Sequence, residues 1–232
     1  MNLSPKDLKQ VIVFQNATDD DLRLILQNSV ERSMEESGFF FFHGDPAHYL
    51  YILTSGQVKL MQNSVNGQQV NLRIIYPWQM FGALGAVRAE ATYPASAQAL
   101  ENSTALAIKS EFLHEMIQTR PQLSFDLMTL MTTYIQEMQA RYRELATERV
   151  EQRVANALVR LAGQAGIRSE KDAAIELSFS RQDVAEMTGT TLYTVSRLFS
   201  DWERQGIITT GRERIRIIKP HDLVRIADGL EK

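Results

Sequence analysis

From Gln122 to Leu161 the chain contains neither glycine nor proline. Bounded by Pro121 and Gly163, the run reads as helix, because these are the residues that ordinarily end one. Leu127, Met131, Tyr134, Met138 and Leu145 recur within it at intervals of four, three, four and seven, with Arg141 interrupting them. That approximates a heptad seam. A helix of about 25 residues is roughly 37 Å long, more than a small domain needs for cover. The spacing predicts a dimerisation helix over 121–147 with those five residues at the interface.

The segments on either side differ in period. Thr18 followed by Asp19, Asp20 and Asp21 reads as a helix N-cap with acids in the first turn, where they favour the helix dipole. One or two short helices are expected from Leu8 to Val30. Short aromatic and aliphatic runs follow at Phe39–Phe42, Tyr49–Leu53, Val58–Met61, Val70–Ile75 and Ala105–Ile108. Turn residues separate them, with Asn66-Gly67 a strong hairpin signal. Many short strands at this spacing predict an antiparallel barrel or roll, giving a first domain over 1–120.

Composition narrows the function. The 232 residues include no cysteine, which excludes disulfides, thiolate zinc sites, cysteine-held iron–sulfur clusters and a thiol nucleophile. Charge is −3 overall, so a nucleic-acid partner has to be met by a local patch. The N-terminus lacks a basic cap followed by an apolar run, and no apolar stretch approaches the ~20 residues that span a bilayer. A cytoplasmic protein with no membrane partner is expected. No Gly-rich phosphate loop, His-Glu metal spacing or Ser-His-Asp arrangement stands out, so no enzyme is expected.

The local patch lies near the C-terminus. Gly163 to Ala174 is polar and reads as a surface loop. Ser180 with Asp183 three residues on marks a helix start, Val184, Ala185 and Met187 form its inner face, and Gly189 ends it. Thr190 or Thr191 caps a second helix whose apolar face is Leu192, Val195, Leu198, Phe199 and Trp202. Two short helices joined by a glycine turn form a helix-turn-helix, whose second helix points its N-terminal residues into the major groove. Its outward positions are Tyr193, Thr194, Ser196, Arg197 and Ser200. Arg197 is the candidate base reader, since its planar fork matches guanine O6 and N7. Ser196 suits a base or a phosphate, and Thr191 and Thr194 suit phosphates at the helix N-terminus. Gly206 to Lys219 reads as a β-hairpin wing, with Arg214 and Arg216 alternating with apolar residues. Between Gly189 and Lys219 six Lys/Arg face three Asp/Glu, a local +3.

The strings Ser180-Arg181-Gln182-Asp183-Val184-Ala185-Glu186-Met187-Thr188-Gly189, Thr194-Val195-Ser196-Arg197-Leu198 and Gly206-Ile207-Ile208 resemble the winged helix of the catabolite-activator/fumarate-nitrate-regulator (CRP/FNR) family. Gly44-Asp45-Pro46-Ala47, Leu50 to Leu60 and Phe81-Gly82-Ala83-Leu84-Gly85 resemble the glycine turns of its cyclic-nucleotide-binding β-roll. The likeness runs from about Phe14 to Arg216, in the family's order. It implies an α+β protein with an N-terminal cyclic-nucleotide-binding-like β-roll, a long dimerisation helix and a C-terminal winged helix-turn-helix over 148–232. The implied function is a homodimeric transcription regulator on a palindromic double-stranded DNA site, with RNA polymerase as a further partner. The resemblance places Arg181 and Gln182 at phosphates; Arg212, one of the basic residues of the wing, is a further candidate DNA contact on charge alone. It places Ser196 and Arg197 at bases, and Tyr193 where most members carry a glutamate.

A cyclic-nucleotide site of the family's kind needs a glutamate after Gly82 and an Arg-Ser pair for the phosphate. Those places hold Ala83, Tyr93 and Pro94. A buried phosphate without a cation is strongly disfavoured, so gating by cyclic AMP is not expected. A pocket for an unidentified ligand is expected between the roll and the long helix, near Gly82, Ala83, Leu84, Arg88, Ser96, Tyr134 and Met138. The Tyr93 to Ala99 segment resembles nitric-oxide-sensing relatives, some of which bind heme, for which His43, His48, His114 or Met80 would be the axial ligand. The alternatives are a ligand-binding regulatory module, a heme- or gas-sensing regulator, and a constitutive regulator with no effector.

Overall fold

The structure, a computed structural model, describes residues 3–64, 69–83, 88, 90–165, 167–168, 174–211 and 213–230. The chain begins with α1 (Pro5–Leu8), a 3-10 turn (Ile12–Phe14) and α2 (Asp19–Gln27). The Thr18 hydroxyl accepts from the Asp21 N–H at 3.2 Å, the expected cap. Strands follow: β1 (Ser29–Met34), β2 (Phe39–Phe41), β3 (Tyr49–Ser55), β4 (Val58–Asn63), β5 (Gln69–Ile75), β6 (Met80–Phe81), β7 (Ser96–Ala99) and β8 (Ser103–Lys109). They form two four-stranded sheets in the orders β1-β8-β3-β6 and β2-β7-β4-β5. The Asn66-Gly67 turn lies outside the described residues.

β3 and β8 are buried on both faces. Successive side chains on a strand point to opposite sides. Leu50, Ile52, Leu106 and Ile108 join a core shared with Phe14, Leu22, Ile25, Leu113 and Leu123. Tyr51, Leu53, Ala105 and Ala107 face the interior of the roll. There Phe40, Phe41, Phe81 and Tyr93 complete an aromatic cluster. The Phe41 and Tyr93 rings stack at 3.7 Å, and Tyr51 stacks on Phe81 at 5.1 Å. The Tyr93 hydroxyl donates to the Tyr49 carbonyl at 2.7 Å. Burial raises the Tyr93 phenol well above its ordinary value, so it stays a neutral donor.

After α3 (Ser110–Thr119), the long helix α4 runs Pro121–Thr147, and α5 runs Val150–Ala165. The break carries no glycine or proline. It is marked by the Gln152 carboxamide accepting from the Arg149 N–H at 3.2 Å. The chain divides into two compact units, Met1–Gln68 with Leu72–Glu137, and Gln69–Asn71 with Met138–Lys232. The second unit holds β9 (Ile167–Arg168), β10 (Ile175–Leu177), α6 (Arg181–Thr188), α7 (Leu192–Arg204), β11 (Ile208–Gly211), β12 (Arg214–Ile217) and α8 (Pro220–Ala227). Within the segment read as a loop from Gly163 to Ala174, α5 extends to Ala165, and β9 pairs with β10.

α4 carries two stripes at heptad spacing. Leu123, Leu127 and Leu130 pack against the first core. One and two turns on, Tyr134 and Glu137 meet Arg73 of β5, whose guanidinium carbon lies 3.7 Å from the Tyr134 ring centroid and whose nitrogen is 3.8 Å from the Glu137 carboxylate. The other stripe, Met128, Met131, Ile135, Met138, Tyr142 and Leu145, is between 41% and 75% exposed. The expected seam mixed the two. Met131, Met138 and Leu145 lie on the exposed stripe, whereas Leu127 and Tyr134 face inward, because the roll's core and Arg73 claim them. Met128, Ile135 and Tyr142 complete the outer stripe.

Candidate nucleic-acid interface

The helix-turn-helix is built from the caps the sequence announces. The Ser180 hydroxyl accepts from the Asp183 N–H at 3.1 Å, and the Asp183 carboxylate accepts from the Ser180 N–H at 3.0 Å. Gly189 closes α6 at φ 60°, and a Cβ there would stand 3.3 Å from Leu145. Left-handed backbone against a neighbouring side chain is where glycine is needed. The Arg153 side chain donates to the Thr188 carbonyl at 3.2 Å, satisfying one of the α6 C-terminal acceptors. Thr191 caps α7, its hydroxyl accepting from the Thr194 N–H at 3.2 Å.

α7 is anchored from beneath. Val195, Phe199 and Trp202 are fully buried, and the Trp202 indole N–H donates to Glu151 of α5 at 3.3 Å. The opposite face is open. Thr191, Tyr193, Arg197 and Ser200 are exposed, while Thr194 and Ser196 are half-buried. Arg197 makes no ion pair or hydrogen bond among the described residues. Leu192 departs from expectation: it is 47% exposed. It shares the angular position of Val195 and Phe199, but it stands in the first turn, ahead of the part of the helix that is buried. The sequence therefore missed a surface apolar side chain beside Tyr193, which is 79% exposed.

The wing is the hairpin β11–β12, extended by β10 through the pairs Ile175–Ile217 and Leu177–Ile215. The positive charge of α7 and the wing is partly committed. Arg214 pairs with Glu176 at 3.5 Å, and Arg204 pairs with Asp201. Arg181 donates to the Thr210 hydroxyl at 2.7 Å, and that hydroxyl donates to Glu203 at 2.6 Å. The start of α6 is thus tied to the wing. Gln182 is exposed and donates to Glu186 at 2.9 Å. Arg212 lies outside the described residues.

Of the residues expected to line an effector pocket, those described within the first unit have separate surroundings. Gly82 sits at φ 73°, and a Cβ there would meet the Tyr93 and Phe41 rings at 3.1 and 3.2 Å. Ala83 packs against the first core. The Ser96 hydroxyl accepts from the His43 N–H at 2.9 Å. Tyr134 lies beneath Arg73. Its burial raises the phenol, while the guanidinium pulls the other way. Met138 is 70% exposed, and Leu84 lies outside the described residues. Arg88 lines a different opening of about 850 Å³, together with His48, Lys109 and His114. Of the heme-ligand candidates, Met80 is buried in the first core, His48 is exposed, and His114 bonds to Gln118 at 2.9 Å. Among the described residues no group of three or more His, Asp or Glu is placed to hold a metal ion. No helix among them is long and apolar enough to cross a membrane.

Comparison with known proteins agrees with both halves. Residues 31–120 match the cyclic nucleotide-binding domain family, and residues 152–226 match the Crp-like helix-turn-helix domain family. The transcriptional activator protein anr of Pseudomonas aeruginosa is 29% identical over 198 residues, covering 85% of this chain and 80% of its own. The anaerobic regulatory protein of Bacillus subtilis is 26% identical over 206 residues, covering 88% and 87%. The solved structure of FixK2 from Bradyrhizobium japonicum superposes with a TM-score of 0.76 at 21% identity, over 85% of this chain and 96% of that one.

Proposed function

The chain belongs to the CRP/FNR family of DNA-binding transcription regulators, and on that premise we propose that it reads a palindromic DNA site as a homodimer paired through the outer stripe of α4. It is a regulator and not an enzyme. Homodimers on palindromic sites are typical of the family. In the proposed complex α7 enters the major groove, and the two copies read half-sites about 34–36 Å apart. Arg197 donates two hydrogen bonds to a guanine. Ser196 and Tyr193 contact neighbouring bases, and Leu192 lies against a thymine methyl. Thr191, Thr194, Arg181, Gln182 and Arg212 hold the phosphates.

The observation that carries this reading is the outer face of α7. A well-capped helix buries Val195, Phe199 and Trp202, yet leaves Leu192, Tyr193 and Arg197 open to solvent, with Arg197 unpartnered among the described residues. The reading extends to a cytoplasmic protein that recruits RNA polymerase and is not gated by cyclic AMP. The stacked Phe41 and Tyr93 against Gly82 support the last point. Selection from a randomised duplex pool tests the core of it. The wild-type chain enriches an inverted repeat. Arg197→Ala loses preference at one G·C pair per half-site, a penalty of about 1–3 kcal/mol. Equal preference in Arg197→Ala and wild type would overturn the assignment.

A further inference from the structure

The inner stripe of α4 changes character along its length. Leu123, Leu127 and Leu130 are held by the apolar core. Beyond them the stripe continues with Tyr134 and Glu137, and the group that meets both is Arg73. This guanidinium is mostly buried, with its side chain 18% exposed, while Glu137 is 37% exposed. A cation against an aromatic face is strongest where water is excluded, and a planar guanidinium can stack on the ring while its edge reaches the carboxylate.

The rotation of α4 about its axis decides what the chain presents. The two stripes are offset by one residue, Leu127 against Met128 and Tyr134 against Ile135, and neighbouring residues on a helix point about 100° apart. A modest turn of the helix would therefore carry the outer stripe out of register with a twin. Leucine packing, the Ser124 hydroxyl on the Ile117 carbonyl and the Asn16 amide on Asp126 hold the first turns. Past Leu130, Arg73 supplies the hold.

We propose that Arg73 is a positioning residue for dimerisation: by clasping Tyr134 and Glu137 it fixes the rotation of α4 that keeps Met128, Met131, Ile135 and Met138 outward, without a bound ligand. The chain's own side chain thereby does what an effector wedged between roll and helix would do. The inference rests on the dimer reading of α4.

Sedimentation equilibrium of the full chain, with no nucleotide added, tests it. Wild type dimerises. Arg73→Ala weakens the dimer about ten-fold, the scale of a partly desolvated cation–aromatic contact, and Arg73→Lys recovers part of the loss. Tyr134→Phe loses less than Tyr134→Leu, because it keeps the ring face under the guanidinium and gives up the hydroxyl contact with Arg73. Tyr134→Leu keeps an apolar body in place but loses most of what Arg73→Ala loses, the Glu137 pair remaining, and the double variant is no weaker than Arg73→Ala. That non-additivity separates a clasp from general loss of packing, and the Tyr134 variants carry the test even if Arg73→Ala folds poorly. Full-strength dimers of Tyr134→Leu, or strictly additive losses, would overturn the clasp and leave the family reading standing. A monomeric wild type would overturn the dimer reading and the clasp together.

Discussion

The aromatic cluster of the roll and the first turn of α7 put aromatic side chains to opposite uses. In the roll, Phe41, Tyr51, Phe81 and Tyr93 are buried and stacked on one another. In the winged helix, Phe199 and Trp202 are buried, but Tyr193 stands almost free beside Leu192. Burial makes an aromatic ring a structural element. Leaving a large side chain in water on a well-capped helix makes it a candidate contact. The contrast implies that, among the described residues, the chain's own rings pack the aromatic cluster of the roll, while the outer face of α7 is left for a partner.

The sharpest way to break that contrast is stability. Phe41→Ala removes a ring stacked on Tyr93 and packed against Tyr51 and Phe81, and should destabilise the roll by about 3–5 kcal/mol in urea titration. Tyr193→Ala should change stability by no more than about 0.5 kcal/mol, as exposed substitutions do. Comparable losses in the two variants would mean that Tyr193 is packed or that the roll interior tolerates a void.

A smaller effect separates committed charge from uncommitted charge. In the roll unit Arg120 is bonded to Asp21 across 99 residues of sequence, whereas Arg197 on α7 has no partner among the described residues. Burial acts to raise the Asp21 carboxyl, but the Arg120 guanidinium and the Thr18 hydroxyl outweigh it and hold it below its ordinary value. A depressed carboxylate contributes stability that is complete above its unfolded-chain value, about 3.9, and fades as pH falls through the lower folded value. Asp21→Asn should therefore cost about 1 kcal/mol near pH 7 and distinctly less near pH 3. Arg197→Ala should show no such pH-dependent loss of stability. An Asp21→Asn penalty of the same size at both pH values would show that the ion pair is not its source.

What the sequence revealed follows from where the signal is local. The α6 and α7 caps, the Gly189 turn and the buried Val195, Leu198, Phe199 and Trp202 depend on residues a few positions apart, and all could be read directly. β1 could not: Ser29–Met34 is a polar, mostly exposed edge strand, defined by its pairing with β8 far along the chain. β7, a Ser-Ala-Gln-Ala strand, has too little apolar bulk to announce itself. The break after Thr147 carries no glycine or proline. Heptad spacing in α4 was legible, but two interleaved stripes satisfy nearly the same intervals. Only the inward pull of the roll's core and Arg73 separates Leu127 and Tyr134 from Met128 and Ile135.

The finest test of an open reading face concerns Leu192, which the apolar pattern assigned to the inside. Thymine differs from uracil by one C5 methyl group, and apolar contact with that methyl is a recognised way of reading a T·A pair in the major groove. Burying one such carbon is worth about 0.8 kcal/mol, close to a four-fold change in affinity. In a selected half-site, replacing thymine by uracil one base at a time should weaken wild-type binding by that amount at one position. Leu192→Ala should bind the thymine and uracil duplexes alike at that position, while keeping its preference for the guanine assigned to Arg197 in the proposed complex. If every thymine can be replaced without loss in wild type, Leu192 does not read a methyl group. If the loss persists in Leu192→Ala, a neighbouring side chain of the first turn, Tyr193 or a threonine methyl, reads it.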